Sequence, residues 1–157
     1  MDDPENIALK RNFTFKMMAR PFRISRAVNR RTERMNANTT ISVYSKGTVE
    51  TAPTIVLKAI AGDIEQPQIV VNDQFLKYTG TLTNNSSIEF NLDSFLVNTS
   101  MERDINTTGA YDSNEGNVLQ YVEGEFGLLK SKANTIGYTS NNNAPAELSI
   151  IWNDQYI

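Results

Sequence analysis

Residues 123–138, Glu123-Gly-Glu-Phe-Gly-Leu-Leu-Lys-Ser-Lys-Ala-Asn-Thr-Ile-Gly-Tyr138, and residues 146–157, Ala146-Glu-Leu-Ser-Ile-Ile-Trp-Asn-Asp-Gln-Tyr-Ile157, decide how the chain reads. Thr135, Gly137 and Thr139 alternate with Ile136 and Tyr138, and Leu148, Ile150 and Trp152 alternate with Glu147, Ser149 and Ile151. A period of two sends successive side chains to opposite faces, the mark of a half-buried antiparallel strand. The intervening Ser140-Asn-Asn-Asn-Ala-Pro145 offers turn formers and nothing that suits a strand interior. The pair is expected to form a hairpin that closes a sheet, so the upstream chain must supply the other strands.

Working outward, residues 12–19 (Phe13, Phe15 and Met17 against Thr14, Lys16 and Met18) and 22–28 alternate as strands, separated by Pro21. Residues 1–10 read as a frayed or weakly helical lead, and residues 29–38, charged and polar, as a boundary or exposed excursion. Strands are expected at 39–44, 54–60, 68–71, 74–78, 81–83 and 87–92. Asn72-Asp73 would serve as a two-residue hairpin turn, and Asn84-Asn85 as a second tight turn. Residues 104–117 read as a polar loop, with a strand starting at Val118–Val122. About nine or ten short strands at spacings of roughly 8–12 residues, without helical periodicity or internal repeat, describe an all-β sandwich or barrel.

Composition narrows the chemistry. The 157 residues suffice for one domain with a core, and Thr, Asn, Ser, Val and Ile are favoured over Leu and Ala. No cysteine means no disulfide or thiolate site, and no histidine removes the commonest general base and metal ligand. No apolar run is long enough for a membrane-spanning helix, and the acidic Met1-Asp-Asp-Pro-Glu-Asn6 lacks a signal-peptide core. The sequons at Asn12, Asn38, Asn98 and Asn106 follow from an Asn/Thr-rich composition.

Charge is unevenly placed. Residues 1–34 hold nine Lys/Arg against four acids, whereas the rest of the chain holds six against fourteen. A basic strip beside an acidic body points to contact with something acidic, the obvious choice being another copy of the same body. Arg20, Arg23, Arg26, Arg30, Arg31 and Arg34 are therefore the candidate partner-binding residues. A solvated basic edge strand is an equally good reading, since charges blunt sheet edges. Nucleic acid is disfavoured, because only Phe13, Phe15 and Phe22 interleave with the basic residues.

Carboxylates are the remaining catalytic groups. Asp63/Glu65, Asp112/Glu115 and Glu123/Glu125 are close pairs, but Glu123 and Glu125 flank Gly124 at period two, which describes a solvated face. Asp104, Asn106, Asp112, Asn114 and Glu115 offer oxygen ligands without the spacing of a calcium loop. Trp152, Tyr78, Tyr111, Tyr121 and Tyr138 could stack on sugars, although Trp152 reads as core and Tyr111 as exposed. No enzyme, cofactor or metal is expected.

The order of features resembles the C-terminal part of the distal tail (Dit) family of siphophage tail proteins. The resemblance spans residues 13–157 and rests on Ala19-Arg-Pro-Phe22, Ser45-Lys-Gly-Thr48 with Pro53-Thr-Ile-Val-Leu57, and the strands around Asn72-Asp73. It continues through Ile88-Glu-Phe-Asn-Leu-Asp93 and then Phe126, Leu129, Asn134, Ile136 and Trp152 to Tyr156. Lys132 stands where the family often carries glycine, so that turn must differ or hold strain.

The resemblance implies an antiparallel β-sandwich of galectin-like or jelly-roll type, residues 35–157, preceded by a basic extension, residues 1–34. That extension would be the last strands of the family's ring-building domain. It implies a non-enzymatic structural component of a phage tail tip or baseplate that links the tail tube to the host-adsorption apparatus. Such a protein would be made in the host cytoplasm and carried in the virion. Its partners would be other tail and baseplate proteins and further copies of itself, with neither nucleic acid nor membrane. The alternative is a carbohydrate-binding sandwich module.

Overall fold

The computed structural model describes residues 23–101 and 116–157. Its first strands are β1 (Arg23–Met35), β2 (Thr39–Ser45), β3 (Thr54–Ala59), β4 (Ile64–Glu65), β5 (Gln68–Val71), β6 (Gln74–Tyr78) and β7 (Thr81–Leu82). There follow β8 (Ser86–Asn91), β9 (Leu96–Met101), β10 (Gly116–Asn117), β11 (Val122–Gly124), β12 (Lys132–Thr139) and β13 (Ala146–Tyr156). A single 3-10 turn, Leu119–Tyr121, connects β10 to β11. The segment expected to open a strand at Val118 therefore begins as that turn and extends only from Val122.

The strands form a six-stranded sheet, β1-β13-β3-β8-β9-β10, and a five-stranded sheet, β11-β6-β5-β12-β2, with β4 and β7 as a small ribbon. Their ladders are antiparallel. Ile55, Leu57, Ile88, Phe90, Leu148 and Ile150 from the larger sheet meet Val43, Ile69, Val71, Leu76, Ile136 and Tyr138 from the smaller one in a single buried core. Of the sandwich or barrel that the strand pattern allows, the chain forms the antiparallel sandwich. Asn72-Asp73 makes the expected tight connection between β5 and β6, with Asn72 at φ 55°.

The terminal hairpin is not formed. β12 pairs with β2 and β5, whereas β13 pairs with β1 and β3, so the two strands lie in different sheets. Each carries an apolar inner face (Ile136 and Tyr138; Leu148, Ile150 and Trp152), and facing one another buries both sets. The connection arches over the end of the sandwich. It is pinned by the Tyr138 hydroxyl, which donates to the Ala144 carbonyl at 2.8 Å, and by the Asn141 amide, which donates to the Glu65 carbonyl at 2.9 Å.

Residues 29–35 are likewise not an excursion. They continue β1 against β13, so the strand runs through positions 34 and 35, where the sequence reading divides the chain. Asn29, Arg31, Glu33 and Met35 lie opposite Trp152, Ile150, Leu148 and Ala146, on the side of β13 that faces the core. Only Met35 of these is apolar and buried, so the period of two is present but written in polar residues. The part of the expected strand before Arg23, and the whole of 12–19, lie outside the described residues.

Asparagines supply much of the turn chemistry. Asn38, Asn72, Asn85 and Asn143 adopt φ between 53° and 64°, a region that asparagine tolerates better than most residues. Lys132 has φ 79°, so the position where glycine was expected is held in the left-handed region by a lysine. The turn is clamped by Asn134, which is 2% exposed. Its Oδ1 accepts from the Lys130 amide (2.7 Å) and Asn72 Nδ2 (3.0 Å), and its Nδ2 donates to the carbonyls of Lys130 (2.9 Å) and Lys132 (3.2 Å). Lys132→Gly should relieve the strain and stabilise the fold by about 0.5–1 kcal/mol, after glycine's extra unfolded-state entropy is subtracted. Urea unfolding at neutral pH would register this as a raised midpoint with an unchanged slope.

Candidate partner interface

β1 is the end strand of the larger sheet and presents the arginines that the charge split singles out. Arg20 lies outside the described residues. Arg23 and Arg26 sit near a bulge, since pairing with β13 shifts between Ile24 and Val28. Arg30 and Arg34 lie opposite Ile151 and Glu147 on the outer face and are exposed. Arg31 points the other way. Its guanidinium donates to the Glu33 carboxylate at 2.9 and 3.1 Å and to the Ser42 carbonyl of β2, fastening the edges of the two sheets together. Arg31 is thus a structural clasp, separate from the outward-facing arginines. Val28, with 61% of its surface exposed, and Ile24 extend this outer strip with apolar surface.

Beside the clasp lies a carboxylate that sequence reasoning does not single out. Asp154, on β13, is 4% exposed and has no cation against it. Its Oδ1 accepts from the Ser45 hydroxyl (2.9 Å), the Lys46 amide (3.1 Å) and Trp152 Nε1 (3.2 Å), and its Oδ2 accepts from Asn29 Nδ2 (3.1 Å). Burial alone would raise its pKa. The hydrogen bonds from Ser45, Asn29, Lys46 and Trp152 outweigh burial and hold it below the ordinary value. The only sequence signal for this site was an acid two residues after an inward-facing Trp.

Two of the three carboxylate pairs lie within the described residues. Asp63 and Glu65 are exposed, Asp63 Oδ1 accepting from the Asn84 amide at 2.8 Å, and Glu123 and Glu125 are exposed on either side of Gly124. Asp112, Glu115 and the calcium-like ligands Asp104, Asn106 and Asn114 lie outside the described residues, as does Tyr111. Among the described residues no group of three or more His, Cys, Asp or Glu is close enough to share a metal ion. No helix there is long and apolar enough to cross a membrane.

Of the sugar-stacking aromatics, Trp152 and Tyr138 are buried, Tyr78 is half-buried and Tyr121 is exposed. Tyr44, Phe75 and Phe95, which the sequence reading passes over, are exposed as well. Phe95 adopts φ 54° and packs edge-on against Phe126 with ring centroids 5.3 Å apart. Nearby, a cleft of 340 Å³ is lined by Glu50, Val71, Asp73, Phe126, Leu128 and Lys130, among others. Lys130 Nζ lies 3.9 Å from Asp73 Oδ2 at its edge.

The described residues thus define a β-sandwich whose prominent surface features are charged sheet edges. Its fold is similar to the crystal structure of SPP1 Dit (gp 19.1), which is described as a paradigm of the hub adsorption apparatus in phages infecting Gram-positive bacteria. The TM-score is 0.57 at 16% identity, covering 88% of this chain and 50% of that one. The chain therefore spans about half the length of that structure. No family model and no curated protein matches the sequence.

The depressed pKa of Asp154 sets a pH dependence. A carboxyl lowered on folding stabilises the protein above its unfolded value, near 3.8, and loses that contribution as pH falls through the folded value. Asp154→Asn keeps one acceptor but turns an amide nitrogen toward Asn29 Nδ2. It should cost about 1–3 kcal/mol at pH 7. Unfolding measured at pH 7 and at pH 3 should show the gap between parent and variant narrowing in acid.

Proposed function

We propose that the chain is a non-enzymatic, architectural component of a phage tail tip or baseplate, of the distal-tail kind, linking tail tube and adsorption apparatus and carried in the virion. The observation that carries this reading is the likeness in fold to a phage hub protein over 88% of the chain. Its partners on this reading are other tail proteins and further copies of itself, engaged through the basic strip of residues 1–34.

Residues 23–34 of the basic strip belong to β1, an end strand of the sandwich. Removing residues 1–34 would strip an end strand from β13, so charge reversal is the cleaner probe of the strip.

An antibody raised against the purified chain should decorate the distal end of the tails in electron micrographs of the virions that carry it. Absence of decoration, together with saturable binding to a glycan array that is lost on substituting Tyr44 or Tyr121, would replace this reading with the carbohydrate-binding module.

A further inference from the structure

We infer that copies of the chain associate head to tail, the outer side of β1 on one copy meeting the β11–β6 edge of the next. This rests on the architectural reading above and names the surface that accepts the basic strip.

The topology puts the two surfaces on opposite sides of the sandwich. β1 and β2, joined by residues 36–38, end their sheets on one side, while β10 and β11, joined through the 3-10 turn, end them on the other. The two sides differ in charge. β1 carries five arginines and one glutamate, and that glutamate is paired with Arg31. Arg23, Arg26, Arg30 and Arg34 are exposed and make no ion pair among the described residues.

On the far side, Glu123 and Glu125 are exposed at the end of the smaller sheet. Lys77 lies opposite Glu123 in register without an ion pair between them, and Gln74 Nε2 donates to Glu125 Oε2 at 3.2 Å. Gly124 lies between the two carboxylates at φ 110°, packed so tightly that an added Cβ would sit 2.0 Å from the Phe75 carbonyl oxygen. The strand edge is therefore bare of side chains between its two acids.

The arrangement has a directional consequence. A basic side that fits an acidic side at the opposite end leaves one of each unsatisfied after every contact. Such heterologous contacts close into a ring or run on as a filament, and they do not stop at a symmetric pair. Long-range attraction between the edges would also be screened by salt, over about 10 Å at 0.1 M.

The test is native mass by light scattering on the full chain and on two variants, R30E/R34E and E123R/E125R. The parent should give a multiple of the chain mass that falls as salt is raised. Each variant alone presents like charges on its two sides and should stay at the chain mass, with association weakened at least about tenfold. An equimolar mixture of the two restores opposite charges at each contact and should regain the parent's mass. Arg31→Met, which removes the clasp, should lower the unfolding midpoint and leave the mass unchanged. A parent that is monomeric, or a mixture that stays monomeric, overturns the inference. Tail-tip decoration by antibody would in that case still uphold the architectural reading.

Discussion

A carboxylate held under protein without a cation must be given donors by the fold, and Asp154 takes its donors from three separate segments. Asn29 comes from β1, Ser45 and Lys46 from the end of β2, and Trp152 from its own strand. Left without those donors, a buried carboxylate would be costly to keep ionised and would be driven to take up a proton. The group therefore fixes where β1 and β2 stop relative to β13. It also holds Trp152 in place, so that the indole fills the core while its N–H is satisfied. The neighbouring Arg31 clasp, which binds Glu33 and the Ser42 carbonyl, completes the closure of that side.

The opposite side is built differently. β10 and β11 have two and three residues, and the chain passes between them through a single 3-10 turn. Short end strands limit how much ladder an edge can offer, whereas the thirteen-residue β1 carries charge along its length, with Arg31 and Glu33 turned inward and Arg30 and Arg34 outward. A sandwich with one long basic edge and one short acidic edge is polar in the geometric sense. Its two ends can therefore be told apart. The core needs no such asymmetry, and the apolar residues of the two sheets simply interdigitate.

The alternation of Leu148, Ile150 and Trp152, of Ile136 and Tyr138, and of Ile55 and Leu57 was legible because each apolar side chain in it meets the opposite sheet. Asn72 was legible as a turn because few other residues accept its backbone, whereas Lys132 stood out only through the family resemblance, at a position where the family often carries glycine. The second half of β1 was hidden for the same kind of reason. Its inner face is Asn29, Arg31 and Glu33, residues that meet partners at an open edge and not in a core, so no hydrophobic period marks it. The polar linker 140–145 could not say whether it joined strands within a sheet or across two, since a tight turn and an arch draw on the same residues.

The amino-acid sequence by itself determined the class of fold, most of the strands, the core and the imbalance of charge. These follow from local rules: side-chain period, backbone tolerance and the count of ionisable groups. Only the tertiary structure decided that β12 and β13 face each other across the core, that Arg31 is a clasp while Arg30 and Arg34 face outward, and that Asp154 is buried. Those outcomes depend on which strand lies beside which, and pairing is set by the joint burial of distant segments that no local pattern encodes.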